Sequence, residues 1–316
     1  MAPIVLSLGD PAGIGPQVSV SAVAALRDHS GVILVGHPDS IPKSSLDLQH
    51  YTGNCQPNTV YHLPIMADTA IVWGPDDPHN AHIALTSLEA ALAIADKRPI
   101  RGLVTAPLSK KGLARAGFTA TDHTTFLTRY FKASNTRMAF YSPRLKIVLA
   151  TTHVPLSAVE SLLTPDQLTQ TLTQACAFAH TLGIPEPRIA VAGLNPHAGE
   201  QGLLGDFEAR VLEPTLAAFS CPNGRIEGPY SPDVVFRKAY EGAFDIVVAL
   251  YHDQGLIPLK MVAFDAGVNV TLGLPICRTS PDHGTAYDIV NHQSADPRAM
   301  AAAIDYVQRF GGPFKE

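Results

Sequence analysis

Residues 245 to 255 read DIVVALYHDQG, an apolar run that ends abruptly in polar side chains. Its first part is continuously apolar, a pattern typical of a strand that is covered on both faces. Such strands belong to parallel sheets that carry helices on both sides. The polar end, with His252 beside Asp253, therefore lies at the edge where open α/β sheets bind their ligands.

Similar apolar runs recur along the chain and alternate with helical patterns. Besides the run above, they predict strands within residues 3–8, 31–37, 100–107, 137–142, 146–153, 188–197 and 268–273. Helices are predicted within residues 82–98, 164–183 and 299–312, and a loop at about residues 38–60. Strands that alternate with helices predict an α/β fold with doubly wound, mostly parallel sheets.

The clearest helix signal starts at Thr164, which we predict to be the N-cap. Gln167 is expected to close a capping box with Thr164, and Gly183 to end the helix. After the strand at 245–250, Gly255 is expected to permit a turn and Pro258 to stop any continuation.

The composition excludes several classes of protein. With 316 residues, 46% of them apolar and 16% charged, the chain has the composition of a soluble globular protein of one or two domains. Its net charge of -5 offers no basic surface for nucleic acid. No apolar run reaches bilayer length, and no signal peptide is recognised. The four scattered cysteines suggest neither a disulfide framework nor a cysteine-rich zinc site, so we expect a cytoplasmic location.

Three predicted strands each end in a histidine: His153, His197 and His252. Three imidazoles with an open fourth position would suit a divalent metal such as zinc if the strand ends converge. The alternative is that each is a hydrogen-bonded surface or core histidine. Asp253 is a candidate for orienting a ligand or accepting a proton, or for an ordinary turn. Asp233 has the same candidate role, with a helix N-cap as the alternative.

Basic and polar residues suitable for an anion follow other strands. Lys260, Asn269, Thr271 and Arg278 occur within one stretch, and Ser109 precedes Lys110 and Lys111. Arg would bind a phosphate or carboxylate through its fork and Lys as a point charge, unless these are solvated surface cations. The His123–Thr124 pair and residues 281–289, PDHGTAYDI, are further candidates for ligand contact. The GDPAGIGP turn at 9–16 fits neither the dinucleotide fingerprint nor the phosphate loop, and is either a ligand loop or a tight structural turn.

The motifs GDPAGIGP, DHTT, TTHVPL, GLNPHAGE, GPYSPDVVF, YHDQGLIPLK, GVNVTLGLP and RTSPDHGTA follow one another in this order. With them the chain resembles the 4-hydroxythreonine-4-phosphate dehydrogenase family of pyridoxal phosphate biosynthesis over nearly its whole length. The chain ends are also distantly similar to isopropylmalate and isocitrate dehydrogenases, whose D-G-I-G-P-E and H-G-S-A-P-D-I parallel AGIGPQ and HGTAYDI.

This resemblance implies two α/β/α domains with mostly parallel sheets and an interdomain active-site cleft. The first domain would comprise residues 1–118 with 281–316 and carry the cofactor-binding segments; the second, 119–280, would carry the metal and substrate site and the dimer interface. The implied subunit is a homodimer whose metal site is shared between subunits. Neither nucleic acid nor a membrane is an implied partner.

The resemblance also assigns roles to individual residues. It implies His153, His197 and His252 as metal ligands, one of them from the partner subunit. It implies substrate-binding roles for His123, Thr124, Lys260, Asn269 and Arg278. NAD, with NADP as the alternative, would bind at His283, Gly284, Thr285, Ala286 and Asp288. The metal would be zinc, with cobalt, manganese and magnesium as alternatives.

The implied reaction is oxidation of 4-phosphooxy-L-threonine at C3 by NAD, followed by loss of carbon dioxide. The product would be 3-amino-2-oxopropyl phosphate, a precursor of vitamin B6. A bound metal would lower the pKa of the C3 hydroxyl. Asp253 or Asp233 would accept its proton or orient a metal ligand.

The chain departs from the family pattern at three places. Asp122-His123-Thr124-Thr125 stands where the family usually has Gly-His-Thr-Glu, Gln17 replaces an acid, and VNHQ at 290–293 lacks a family glycine. The first two departures suit a related enzyme of D-threonate or D-erythronate 4-phosphate, which is the alternative function; the third bears on NAD or NADP preference. An alternative of another class is a non-catalytic metal- or ligand-binding protein on the same fold.

Overall fold

The structure is a computed structural model that describes residues 2–29, 31–44, 46–67, 70–119, 122–290 and 295–312. Its strands are β1 Ile4–Ser7, β2 Val32–Gly36, β3 Leu48–His50, β4 Val60–Pro64, β5 Gly102–Thr105, β6 Arg137–Tyr141, β7 Lys146–Leu149, β8 Arg188–Ala192, β9 Arg225–Tyr230, β10 Ile246–Ala249, β11 Val268–Leu272 and β12 Arg278–Pro281. Its α-helices are α1 Gly15–Ala24, α2 Pro78–Lys97, α3 Lys110–Arg115, α4 His123–Tyr130, α5 Val159–Leu162, α6 Pro165–Thr181, α7 Glu213–Ala218, α8 Pro232–Tyr240, α9 His252–Ala263 and α10 Arg298–Phe310. None of the helices in these ranges is long and apolar enough to cross a membrane.

The chain forms two compact units. Unit 1 consists of Met1–Ala133 with Leu274–Glu316, and unit 2 of Ser134–Gly273. The boundaries read from the sequence fell at 118/119 and 280/281. In the structure α4 and β12, with His123 and Arg278, belong to unit 1.

The strands of unit 1 lie in the order β3-β4-β2-β1-β5-β12, and all of these pairs are parallel. β1, β2 and β5 are buried along their whole length, as expected for strands covered on both faces. On one face, Leu88 and Leu92 of α2 pack in a cluster with Val5 and Ile33. This confirms the predicted α/β architecture in this unit.

The strands of unit 2 lie in the order β11-β6-β7-β10-β8-β9. β6 pairs antiparallel with both of its neighbours, β11 and β7. The pairs β7–β10, β10–β8 and β8–β9 are parallel. The core joins Ile147 and Val247 of the sheet to Phe236 of α8 and Leu259 of α9. This order places the carboxyl ends of β7, β10 and β8, the strands that precede the three histidines, side by side.

The predicted start of α6 is confirmed, but the capping box is wrong. Thr164 Oγ1 accepts a hydrogen bond from the Gln167 backbone N–H at 3.2 Å, as an N-cap does. The Gln167 side chain does not reach back to Thr164. Its amide donates to Ala150 O at 2.6 Å instead, and its carbonyl accepts from Arg137. The Gln167 side chain, which the local pattern assigned to the capping box of α6, therefore binds the backbone just after β7 instead.

The prediction that Gly255 turns the chain and Pro258 stops it is wrong, because α9 starts at His252 and continues through both residues to Ala263. Gly255 serves close packing: a Cβ there would lie 2.9 Å from side-chain atoms of Ile147 and Leu149. The helix can therefore approach β7 closely. Pro258 is half-buried in a helix whose other face is held by the tertiary contacts of Gly255, Leu256 and Leu259.

Two further expectations need correction. Residues 38–60 are not a continuous loop, because they contain a 3-10 turn at Pro38–Ser40 and strand β3, which pairs with β4. The structure also joins Cys176 of α6 to Cys221 in a disulfide, with a Cα–Cα distance of 6.1 Å. These cysteines are 45 residues apart in sequence, so their spacing gave no indication of the pairing.

Candidate active site

The ends of β7, β10 and β8 are tied to one another by hydrogen bonds. Thr151 Oγ1 donates to Leu250 O at 2.7 Å, which links the loop after β7 to the end of β10. Gln254 accepts from Leu250 N–H and donates to Gly193 O, both at 2.7 Å, which links β10 to the loop after β8. The three loops that carry His153, His197 and His252 therefore share one sheet edge, which is the condition that the metal hypothesis set for these strand ends.

Two of the three predicted metal ligands come together. The rings of His153 and His252 have centroids 5.3 Å apart. His252 Nδ1 is 2.7 Å from Asp253 Oδ1, so this carboxylate fixes the ring orientation and leaves the other ring nitrogen for a ligand. The pair has the form in which a carboxylate supports a metal-binding histidine.

His197 lies in a turn of unusual handedness. Residues 197–201 all have φ between 46° and 81°, so the backbone at the turn Pro196–Gly202 runs left-handed. For residues other than glycine this conformation costs about 1 kcal/mol each. Such a turn persists only where its surroundings hold it in place.

The side chain that holds this turn is Glu208, which is 2% exposed. Its Oε1 accepts from the backbone N–H groups of Leu194 and Asn195, both at 2.8 Å, and its Oε2 accepts from Asn195 Nδ2 at 3.0 Å. Glu208 starts a π-helical turn, Glu208–Leu212, that runs directly into α7. The chain that leaves β8 is thus fixed against this element just before His197.

Across the residues that the structure describes, no group of three or more His, Cys, Asp or Glu side chains is arranged to bind a metal together. His197 lies near Asp233 instead: a hydrogen bond from Ser231 lowers the pKa of Asp233, and the charge of His197 adds to this effect. The set of three histidines therefore stays a prediction, of which His153 and His252 form the paired part.

A groove of about 1040 Å³ opens beside this pair in unit 2. Its polar lining includes His153, Asp233, His252 and Asp253. Its apolar lining includes Val154, Leu156, Ile257, Met261 and Val262, of which Met261 is 82% and Leu156 70% exposed. We call it the unit 2 groove. It combines ionisable groups with apolar surface that nothing in the chain covers at these residues.

In unit 1, buried Arg278 at the start of β12 has half-buried His123 and exposed Lys110 as basic neighbours. Arg278 is buried, and its Nη2 donates to Thr105 Oγ1 at 2.7 Å. Burial lowers the pKa of Arg278 to about 10, and the charge of Asp122 opposes this change. Burial, followed by the charges of Arg278 and Lys110, lowers the pKa of His123 well below its ordinary value. This concentration of positive charge and donors suits an anion such as a phosphate.

The structure accounts for the Asp-His-Thr-Thr departure. Asp122 is the N-cap of α4: its Oδ1 accepts from Thr125 N–H and its Oδ2 from Thr125 Oγ1, both at 2.9 Å. The two departing positions therefore bond to each other. His123 and Thr124 occupy the first turn of the helix between them.

The other predicted substrate residues lie in unit 2. Lys260 is exposed on α9. Asn269 lies in β11, and its buried Oδ1 has no hydrogen-bond partner among the described residues. A buried amide oxygen without a donor is costly, so a ligand donor is expected there.

The predicted cofactor segment packs against the glycine turn. Ile14 N–H donates to Thr285 O at 2.9 Å, and Tyr287 Oη donates to Asp10 Oδ2 at 2.7 Å. His283 and Thr285 are half-buried, and Asp288 is exposed. Residues 287–290 form a turn. Of the VNHQ departure, positions 291–293 lie outside the described residues.

The GDPAGIGP turn is closed on the protein. The N–H groups of Asp10, Ala12, Gly13 and Ile14 donate to Pro107 O, Asp10 Oδ1, Asp10 O and Thr285 O. Of the two interpretations of this turn, the structure supports the structural one for these residues. Gln17 lies in the first turn of α1 and is half-buried.

A comparison with protein families adds independent information. The family model described as "Pyridoxal phosphate biosynthetic protein PdxA" matches residues 22–307. The chain belongs to the PdxA family. This confirms the resemblance read from the motifs.

Individual relatives of the PdxA family cover nearly the whole chain. A 4-hydroxythreonine-4-phosphate dehydrogenase from Ruegeria sp. is 39% identical over 96% of this chain and 95% of its own. A D-threonate 4-phosphate dehydrogenase from Pectobacterium atrosepticum is 35% identical over 95% of this chain and 97% of its own. The crystal structure of 4-hydroxythreonine-4-phosphate dehydrogenase from Klebsiella pneumoniae matches with a TM-score of 0.86 and 35% identity over 98% of both chains. The fold is thus that of PdxA proteins.

Sequence reasoning missed Glu208, Gln254, Asp10 and Tyr287 as residues that support the site. Gln254 stood inside the quoted DIVVALYHDQG stretch, but its partner Gly193 is 61 residues away. Glu208 follows the GLNPHAGE motif without any signal of its own. Each acts through a contact that only the folded chain creates.

We predict that Glu208→Ala lowers the free energy of unfolding by about 2 kcal/mol or more, because it leaves the N–H groups of residues 194 and 195 without their acceptor. Glu208→Gln keeps one acceptor oxygen and should lose about half as much. The exposed Glu213→Ala is the control, with an effect within about 0.5 kcal/mol. Urea unfolding of the three variants measures the differences; an unaffected Glu208→Ala protein would contradict this account of the turn.

We also predict that His123 makes the protein less stable as the pH falls. Its folded-state pKa is depressed, so the unfolded chain takes up a proton at the ordinary histidine pKa while the folded chain does not. Stability is then lost below that pKa, with a slope of at most about 1.4 kcal/mol per pH unit from this group. His123→Gln should lose less stability than the parent protein between neutral and mildly acidic pH. The control His180→Gln, at an exposed position, should lose as much stability as the parent protein. Identical pH profiles for all three proteins would refute the assignment.

Proposed function

We propose that this PdxA protein oxidises 4-phosphooxy-L-threonine at C3 with NAD and then releases carbon dioxide to give 3-amino-2-oxopropyl phosphate, in pyridoxal 5'-phosphate biosynthesis. C3 loses a hydride to the cofactor and its hydroxyl loses a proton, which leaves a β-keto acid. Cleavage of the C1–C2 bond releases carbon dioxide, and a proton at C2 completes the product. The buried basic group at Arg278, together with the family, is the observation that carries this proposal.

The substrate carries a phosphate and a carboxylate, and the proposal assigns them to complementary donors. Arg278, His123 and Thr124 of unit 1 are candidates for the phosphate, because a buried guanidinium gains most from a doubly charged partner. Lys260 and Asn269 of unit 2 are the remaining candidates. The neutral state favoured at His123 lets it both donate and accept a hydrogen bond.

The residues of the unit 2 groove fit a divalent metal in donor type. His153 and His252 present adjacent imidazoles, and Asp253 orients one of them. His197 is the proposed third ligand, from the partner subunit of a dimer. Imidazole donors favour zinc or cobalt over manganese or magnesium. A metal held there would supply positive charge that lowers the pKa of a substrate hydroxyl.

The two aspartates differ in surroundings, which suggests different roles. Asp253 is bonded to His252, so we assign it to orienting that ring. Asp233 is exposed, and its pKa is lowered by the hydrogen bond from Ser231, so it stays ionised over the working pH range. An ionised carboxylate can accept a hydroxyl proton, and we assign that role to Asp233.

The proposed cofactor site is the segment from His283 to Asp288. The imidazole Nε2 of His283 is buried without a partner within the described part of the chain, so a ligand group is expected to meet it. NAD would accept the hydride. The carboxylates of Asp76 and Asp77 act on buried Asp10, beside this segment. We propose NAD as the preferred cofactor, with NADP as the alternative.

We further propose a homodimer formed through the unit 2 groove. Exposed apolar surface of this extent is typical of an interface, and Phe264, 73% exposed, extends it beyond Val262. The same groove holds His153 and His252, so a second copy seated there would lie next to the proposed metal. This gives a physical reason for the third ligand to come from the partner.

A second candidate substrate is D-threonate 4-phosphate, favoured by the 35% identity to the Pectobacterium relative. It differs from 4-phosphooxy-L-threonine at C2, where a hydroxyl replaces the amino group. We also propose that the protein is cytoplasmic, because its charged phosphate-ester substrate and dinucleotide cofactor do not cross bilayers unaided.

The proposed reaction predicts NADH formation from NAD and 4-phosphooxy-L-threonine, with one carbon dioxide per NADH. Removal of divalent metal by chelation should abolish it, and added zinc or cobalt should restore it. We expect kcat/KM to exceed that for D-threonate 4-phosphate by about tenfold or more. A higher kcat/KM for D-threonate 4-phosphate would change the assigned substrate but leave the assigned site residues unchanged. No turnover of either compound, or of D-erythronate 4-phosphate, with bound metal would favour the non-catalytic binding protein.

His153→Ala and His252→Ala should each weaken zinc or cobalt binding by about 100-fold or more, since each removes a ligand. Asp253→Asn should weaken it by about 10- to 100-fold, because it disturbs only the ring orientation. Titration of the metal-free dimer measures these affinities, and His180→Ala on the exposed side of α6 is the control. Full metal binding in both histidine variants would overturn the metal assignment.

Met261→Glu should convert the dimer to monomers, because it places a charge in the middle of the proposed interface. A desolvation cost of several kcal/mol corresponds to roughly 100-fold weaker association or more. Sedimentation analysis of this variant and of Thr169→Glu, an exposed position on α6, provides the comparison. If Met261→Glu stays dimeric, the unit 2 groove is not the interface.

A further inference from the structure

A buried Tyr–Asp hydrogen bond joins the glycine turn to the proposed cofactor segment in unit 1. Tyr287 Oη donates to Asp10 Oδ2 at 2.7 Å, and Asp10 Oδ1 accepts from Ala12 N–H at 2.9 Å. Asp10 is fully buried. Burial raises the pKa of Asp10, and burial together with this bond raises the pKa of Tyr287 to about 12. The bond is therefore between a phenol and a carboxylate that is costly to leave unpaired.

The same two segments also meet through their backbones. Ile14 N–H donates to Thr285 O at 2.9 Å. A Cβ at Gly13 would lie 3.0 Å from Thr285 O and 3.2 Å from its Cβ, so a larger residue would push Thr285 away by a few tenths of an ångström. The proposed cofactor segment is thus attached to the turn both just before and just after Ala286.

Two further loops, which carry Asp76 and Ser109, reach the same hydroxyl. The Ser109 side chain and the backbone of Asp76 lie beside the Tyr287 hydroxyl. Ser109 Oγ donates to Asp76 Oδ1 at 2.6 Å and accepts from Gly112 N–H at 2.8 Å as the N-cap of α3. Three loops of unit 1 therefore converge on one phenol.

The backbone beside Tyr287 needs this support. Ala286 has φ 45°, in the left-handed region that costs a residue with a Cβ about 1 kcal/mol. Three residues earlier, the buried Nε2 of His283 has no partner among the described residues. A strained backbone and a buried imidazole nitrogen without a partner, held ready at one segment, indicate a preformed ligand site.

We propose that Tyr287, through Asp10, is a positioning residue for the nucleotide cofactor: it holds residues 283–286 in the conformation that binds the dinucleotide. This rests on the proposed function, which places the cofactor at this segment. The turn at 9–16 then serves as the support of the cofactor segment rather than as a phosphate loop, because its amides already donate to the protein.

The test uses NADH as the probe and the single tryptophan of the chain, Trp73, as the reporter. Trp73 lies three positions before Asp76, and energy transfer from it to NADH measures the dissociation constant without turnover. Tyr287→Phe should weaken NADH binding about tenfold, the loss expected for a hydrogen bond to a charged group. Tyr130→Phe is the matched control, because it removes a Tyr–Asp bond to Asp96 on the exposed surface of the same unit.

Steady-state kinetics separate positioning from general loss of structure. In Tyr287→Phe the KM for NAD should rise by the same factor as the NADH dissociation constant, and by more than kcat falls or the KM for the phosphorylated substrate changes. Asp10→Asn keeps the size of the side chain but only one acceptor oxygen, so it should weaken NADH binding in the same direction. Because both substitutions act on one bond, the double variant should lose no more than the worse single variant.

The proposal is overturned if Tyr287→Phe binds NADH as tightly as the parent, or if both KM values and the thermal midpoint change together. Additive effects of Tyr287→Phe and Asp10→Asn would also overturn it. Failure of the proposed function looks different: the parent protein itself would bind neither NADH nor NADPH. If Tyr287→Phe does not fold, Asp10→Asn alone carries the same comparison.

Discussion

The hydrogen bonds accepted by the buried Glu208 carboxylate are the constraint on which the candidate site in unit 2 depends. They hold the chain at residues 194–195 as it leaves β8, so that residues 197–201 follow in a left-handed turn. Gln254 then ties this loop to the end of β10. The loops that carry the three histidines are therefore set by the protein itself, before any ligand arrives. Such preorganisation avoids the cost of ordering the site on binding.

The two units have the same fold type but place their ionisable groups in different surroundings. Unit 1 buries the guanidinium of Arg278 and keeps His123 in its neutral form next to it, an arrangement that awaits a negative charge. Unit 2 instead leaves its imidazoles and carboxylates on the surface of a groove with apolar walls. The exposed apolar walls of the unit 2 groove are of the kind that a second copy of the chain buries in a dimer.

Much of the fold follows from local pattern. The continuous apolar runs at β1, β2, β5, β7, β8 and β10 are buried on both faces, and the N-cap at Thr164 is where the pattern placed it. Strands β3, β4, β9 and β12 were missed because their short sequences mix apolar residues with polar ones or prolines. The predicted capping box at Gln167 and the predicted helix stop at Pro258 were wrong for a common reason. Tertiary contacts outweighed the local preferences, which are worth about 1 kcal/mol for a cap and about 3 kcal/mol for proline in a helix.

The sequence alone determined the α/β class, the family, and the placing of His153, His197 and His252 at strand ends, because apolar period and motif order are properties of neighbours along the chain. It could not determine that Asp122 and Thr125 bond to each other, that Tyr287 reaches Asp10, or that Glu208 holds the turn before His197. Asp10 and Tyr287 are 277 positions apart, and their contact exists only once β1, β5 and β12 lie side by side. Hydrogen bonds between distant residues form when packing brings them together, and packing is decided by the whole core rather than by any segment.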